Sequence, residues 1–305
     1  MIYSETCTDG YNEDWKSMLR ERLGASIAGG QCNEEMYTKI GYCYQCYAPA
    51  FLYKYYSDIN PFHIDAVKSN TMWYSSAINF NDAFDCDIFV DEASMFQSII
   101  DASPAAKGLR KGSPLWVKIK SESLKSAKQL QHAFETMKAT TGISCLSELD
   151  DSLLMWAHYA NNHKGFCVEY ELLEINKQLN FTPIPIIYSN KKAIVQSLFP
   201  QSLEESVIKL VVNSLSTKST EWSYEKEWRI IRDNNACGDK WDEENHGALL
   251  PMIKPTAIIL GCEATSYFQT TFEDYCKENK INLYRMEKDA RFYKLNKKII
   301  LSFDT

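Results

Sequence analysis

Residues 224–231, YEKEWRII, constrain the fold more than any other segment of this chain. Read as a β-strand, its side chains alternate across the backbone, so Glu225, Glu227 and Arg229 share one face. Tyr224, Trp228 and Ile230 take the other face, with Lys226 among them. One side of such a strand belongs to a core, while the other gathers two carboxylates and a guanidinium. Spacing alone leaves two readings of the polar side: a solvated face with a cross-strand ion pair, or the floor of a site.

Elsewhere the chain alternates short strand-like and helix-like segments. Phe51 to Tyr56 reads as a strand, and NPFHIDAVKSN as a short helix with Pro61 near its first turn. MWYSS is rich in strand formers, and a helix is expected over 91–100. Leu124, Ala127, Leu130, Phe134 and Met137 mark a helix of about four turns. TTGISCLS then leads into a short helix, DDSLLMWAHYA, with Asp150 or Asp151 as its cap and Gly165 in a left-handed turn after its end. Leu153, Trp156, Ala157 and Ala160 form its apolar stripe, and His158 lies on a different side. FCVEYEL, IPIIYS, PTAIILG, INLYRME and a tail of RFYKL with KKIIL read as strands, and SLEESVIKLVVNSL and TSYFQTTFEDYCKENK as helices. The fold class is therefore α+β: a mixed, mainly antiparallel sheet core with flanking helices, plus a short helical N-terminal extension. Residues 1–48 are expected to form that extension, with Trp15, Met18, Leu19 and Leu23 on one helical face, and 49–305 the main domain.

Several function classes are poor fits. A net charge of −7 argues against a broad phosphate-binding surface, although a local basic groove stays open. The N-terminus has neither the basic start nor the apolar run of a secretory signal, and no apolar run of about 18 residues is present. A cytoplasmic protein without a membrane span is the expectation. Ten scattered cysteines then read as free thiols, the tight pair Cys43 and Cys46 included, because no second pair follows with zinc-ligand spacing. No GxxxxGK[ST], strand-linked GxGxxG, GxSxG or HExxH is present. Asn81, Asp82, Asp85 and Asp87 place oxygens close together in SSAINFNDAFD, but without a calcium-loop pattern, and an Asx-stabilised turn accounts for them better than a metal.

Four stretches, in order, resemble the bacterial domain-of-unknown-function family 2971. They are Leu52-Tyr53-Lys54-Tyr55, then Trp73 to Phe84 (W-x-S-S followed by F-N-D-x-F), then Cys145 to Tyr170 with L-M-W-x-H-Y-A-x-x-H-x-G, and finally Trp222 to Arg229 with Y-E-x-E-W-R. The resemblance spans roughly residues 50–300. The chain departs from it at Ala83, where members often have Pro, and at Lys54, where others carry His.

The family name implies no activity. The order of a basic residue on a first strand, a Ser-bearing strand, an aromatic helix and a late Glu-x-Glu also looks like ADP-ribosyltransferases. That analogy is of fold alone. It implies that Glu227 holds the nicotinamide ribose, Glu225 orients an acceptor, Lys54 meets ribose or phosphate, Ser147 supports the site, and Trp156 or Tyr159 stacks. His158, Arg229, Asn81 and Asp82 complete the candidate ligand-binding set. NAD would be a substrate, with no permanently bound cofactor, in a toxin or defence effector acting on a small NAD-like molecule or a macromolecular acceptor. Two alternatives stay open. One is a metal-dependent nuclease or phosphoesterase using Asp82, Asp85, Glu225 and Glu227, which needs Lys226 near those acids. The other is a non-catalytic ligand sensor or interaction protein, with residues 1–48 as the surface for a protein partner.

Overall fold

The structure is a computed structural model that describes residues 15–17, 19–20, 46–103, 106, 108–179, 183–195 and 210–303. Backbone contacts divide the chain into two units, each assembled from three separate stretches: residues 1–48, 77–140 and 186–220, and residues 49–76, 141–185 and 221–305.

The second unit is built on an eleven-stranded sheet. Its strands are β1 (Phe51–Tyr56), β2 (Thr71–Ser76), β3 (Thr141–Ser147), β4 (Phe166–Glu171), β5 (Ile184–Pro185), β6 (Glu227–Asp233), β7 (Trp241–Asp242), β8 (Gly247–Pro251), β9 (Ala257–Leu260), β10 (Asn282–Lys288) and β11 (Leu295–Leu301). They run in the order β7-β8-β2-β3-β1-β4-β9-β10-β11, with β6 pairing β3 and β5 off this path. Only β9 and β10 pair in parallel within this sheet, so the mainly antiparallel sheet expected from the sequence is what forms. The parallel step needs a crossover, which the helix Ser266–Asn279 supplies. Thr265 caps that helix by accepting from the Phe268 amide at 3.2 Å, and its buried Phe268 and Phe272 pack on Phe166 of β4.

β3 is the most connected strand. β6 pairs with it at every residue, from Glu227 opposite Ser147 to Asp233 opposite Thr141. β2 pairs at Ile143 and Gly142, and β1 at Ser147. Such a strand is buried on both faces and carries no apolar alternation for a sequence reading to find. Over the Tyr53 and Tyr55 face of β1 lies the helix Leu153–Tyr159, whose cap is Ser152 rather than either preceding aspartate. Met155 and Trp156 are its buried residues, with its C-cap Ala160 buried after them, whereas Leu153 is at the surface. Burying an indole ring, about 200 Å² at about 25 cal/mol/Å², stabilises by about 5 kcal/mol before entropy is counted.

After this helix the chain does something unusual. Asn161, Asn162 and His163 are all left-handed, with φ of 45°, 54° and 67°. The expectation of a left-handed Gly165 is corrected: three side-chain-bearing residues take that conformation instead. Gly165 is needed for closeness, since a Cβ there would sit 2.0 Å from the Tyr56 carbonyl oxygen, and one on Gly261 would sit 2.0 Å from that of His163. Close backbone approach thus clamps the turn between β1 and the segment after β9.

The first unit holds two small parallel strand pairs, Ile88–Val90 with Ala193–Val195 and Ile187–Tyr188 with Thr217–Lys218. Asp91 caps the helix Glu92–Ala102, and Ser113 caps the helix Pro114–Ala139, with Pro114 at its first position. The latter begins ten residues before the apolar period that announces it, because Leu115 and Val117 in its first turns are exposed. Ile88, Met95, Ala127, Phe134, Val195 and Leu210 make this unit's core. Trp15 and Leu19 are buried as the N-terminal helical stripe requires, while Met18, Leu23 and Cys43 lie outside the described residues. No helix among the described residues is long and apolar enough to cross a membrane.

Candidate functional site

The segment read as one strand from Tyr224 is two elements. Thr220–Glu225 is a 3-10 helix, β6 begins at Glu227, and Lys226 joins them with a left-handed φ of 46°. Alternation therefore relates Glu227 to Arg229 as expected, but does not relate Glu225 to either. Lysine is not a residue that favours this backbone region, so no sequence signal marks the break. Tyr224 was expected on the core face of a strand; the break places it beside His158 instead.

The two carboxylates are buried all the same, each only 3% exposed. Glu225 accepts a 2.5 Å hydrogen bond from the Tyr159 hydroxyl, and its backbone carbonyl accepts from the Ser147 hydroxyl at 2.6 Å. Glu227 lies opposite Ser147 in register and is held by Arg229, whose Nε donates to Oε1 at 2.7 Å and whose Nη2 donates to Oε2 at 3.3 Å. Arg229 is 0% exposed. Taking such a pair out of water costs several kcal/mol per ion, and only close, two-pronged geometry offsets that.

Lys54 alternates to the face opposite Tyr53 and Tyr55. Its ammonium donates to the Cys145 carbonyl oxygen at 2.9 Å. Burial holds its pKa below the ordinary lysine range, opposed by attraction to Cys145 and Glu227. Trp156 does not stack in an open site: it is fully buried, with its Nε1 donating to the Asp150 carbonyl and its ring edge-on to Tyr55. His158 is exposed, with Nδ1 3.0 Å from the Tyr224 hydroxyl, and Trp222 lies against Tyr224 at 6.1 Å between ring centres. Trp228 donates from Nε1 to Glu148 at 2.8 Å, a partner the spacing of the motif does not announce. Ser147, Tyr159, Glu225, Glu227 and Arg229 thus come together with His158 and Tyr224 beside them, while Lys54 is tied to the Cys145 carbonyl on the other face.

Asn81 and Asp82 belong to the other unit. Asp82 accepts from the Phe84 amide at 2.9 Å, the Asx turn expected there. Asp85 faces Lys218 at 3.6 Å, and Asp87 is bound by both Lys138 and Lys192. Among the described residues no group of three or more His, Cys, Asp and Glu side chains is placed to hold a metal ion.

Residues 155–230 match the family described as protein of unknown function (DUF2971). Over that stretch, a minor part of the chain, the sequence is similar to DUF2971 proteins. The DUF2971 stretch contains Trp156, His158, Tyr159, Glu225, Glu227 and Arg229, and leaves Lys54, Ser147, Asn81 and Asp82 outside it. Its two ends are the parts that meet at the Tyr159–Glu225 hydrogen bond. No curated protein and no solved structure matches the chain.

Proposed function

We propose that this protein is an enzyme that cleaves the N-glycosidic bond of an NAD-like substrate. The observation that carries the reading is the Tyr159–Glu225 hydrogen bond, a buried carboxylate edged by His158 and Tyr224. Aromatic groups suit a planar ring, and a carboxylate in a water-poor site stabilises the oxocarbenium-like charge that develops as the C–N bond breaks. In this proposal the bonding pair leaves with the nicotinamide nitrogen. An acceptor hydroxyl or water then bonds C1′ of the ribose, and its proton passes to Glu225. In this proposal Glu225, which accepts from Tyr159, is the acid assigned to the substrate, and Glu227, held at both oxygens by Arg229, is a positioning residue.

The test is NAD turnover by purified protein, followed as nicotinamide release. Glu225→Gln is expected to lower it by about a hundredfold or more, with the thermal unfolding midpoint retained. Tyr159→Phe is expected to lower it less, since the carboxylate stays in place. Wild-type protein that leaves NAD intact, or turnover unchanged in the Glu225→Gln variant, overturns the proposal. A metal-dependent nuclease is the weaker reading: Lys226 is exposed, and Asp85 and Asp87 are paired with lysines.

A further inference from the structure

A concave site lies apart from the carboxylate cluster, lined by Leu153 at the start of the Trp156 helix and by His163 in the turn after it. It has a volume of about 520 Å³, within the range of small-molecule sites, and is bounded by the hairpin tip between β10 and β11 on one side and by His163 on another. We propose that this cavity binds a phosphate-bearing aromatic ligand of mononucleotide size.

Three observations support it. The first is the chemistry of the tip, Arg291-Phe292-Tyr293-Lys294. Phe292 is 71% and Tyr293 100% exposed, a large loss of apolar burial for two adjacent aromatics on one tight hairpin. Neither Arg291 nor Lys294 forms an ion pair among the described residues, whereas Lys288 nearby is committed to Glu263 and Lys297 to Asp150. Two cations outside any close ion pair, Lys294 acting only through space on Asp289, beside two open aromatic faces match a ligand with a phosphate and a base.

The second is that the tip is pre-shaped. The Asp289 carboxylate accepts from the amides of Arg291 and Phe292 at 2.8 and 3.0 Å and from Asn296 Nδ2 at 2.9 Å, and the Lys294 amide donates to the Phe292 carbonyl oxygen at 2.8 Å. Asp289 is thereby spent on holding the loop. A loop ordered before binding loses less entropy on binding.

The third is His163. It ends the left-handed triplet, a backbone arrangement that costs free energy and is retained where surrounding structure enforces it. Its ring stacks on Trp156 at 11° between planes, and its shielded Nδ1 makes no hydrogen bond. Burial and the charge of Lys288 keep its pKa below the ordinary histidine value, opposed by Glu263, so the residue favours a neutral ring in the cavity wall.

Titrating the whole protein with AMP, adenosine and inorganic phosphate tests this, read by intrinsic fluorescence and calorimetry. AMP is expected to bind saturably, and adenosine and phosphate each at least about tenfold more weakly. Arg291→Ala combined with Lys294→Ala is expected to weaken AMP at least about tenfold and flatten its salt dependence. Phe292→Ala combined with Tyr293→Ala weakens AMP and adenosine alike. All four side chains are exposed, so these variants should fold. Glu225→Gln should leave AMP binding unchanged, which separates this site from the carboxylate cluster. Absence of saturable AMP binding, or AMP affinity indifferent to the charge variant, overturns the proposal.

Discussion

Replacing Arg229 by alanine is expected to destabilise the sheet unit by about 3–5 kcal/mol, read by chemical denaturation. The reason is asymmetric. The guanidinium is 0% exposed, and its removal strands the Glu227 carboxylate, 3% exposed, without its two-pronged partner. Replacing both members by apolar residues of similar volume, Arg229→Met with Glu227→Leu, is expected to recover most of the loss, because neither member of the pair is then buried without the other. A single variant that costs under about 1 kcal/mol would mean that water reaches the carboxylate, and the pair would then count as a surface one. Since Glu227 is assigned a positioning role, the double variant is also expected to lose NAD turnover while regaining stability.

Gly165→Ala carries a comparable penalty by a different route. The added Cβ would lie 2.0 Å from the Tyr56 carbonyl oxygen and 3.1 Å from that of Ala160. Both are backbone atoms, so no side chain can rotate out of the way. The Gly165 amide donates to Ala160 at 2.8 Å and its carbonyl accepts from Gly261 at 2.9 Å, so a shift breaks hydrogen bonds as well as packing. A loss of about 3 kcal/mol or more is expected, visible as a fall in denaturation midpoint and in soluble yield. A midpoint within a degree or two of the parent would show that β1 and the turn are not held at the observed separation.

The legible parts of the sequence were those with a period or a cap. The strands Phe51–Tyr56, Phe166–Glu171 and Ala257–Leu260 and the helix Ser266–Asn279 sit where β-former runs and helical spacing put them. β3 was harder, since a strand buried on both faces has no alternation, and Gly142, Ser144 and Ser147 dilute its apolar run. In the candidate site, the meeting of Glu225 with the Trp156 helix was anticipated for the wrong local reason. Alternation was to place Glu225 beside Glu227, whereas a left-handed Lys226 and a 3-10 turn do so. His163 stands in the family-like motif without a role that spacing could assign, and residues 291–294, expected to begin a strand, form a hairpin tip held by Asp289 instead.

Ser76 pairs with Gly142 across β2 and β3, so the 77–140 excursion leaves and re-enters the sheet at adjacent points. In terms of chain connectivity it is a guest inserted at what would otherwise be an ordinary hairpin turn. Inserts of other lengths could be exchanged at that junction, or removed and closed by a few turn residues, while every strand around Glu227 keeps its register. Diversity among such proteins is then expected to accumulate at this doorway, leaving the sheet beneath it unaltered.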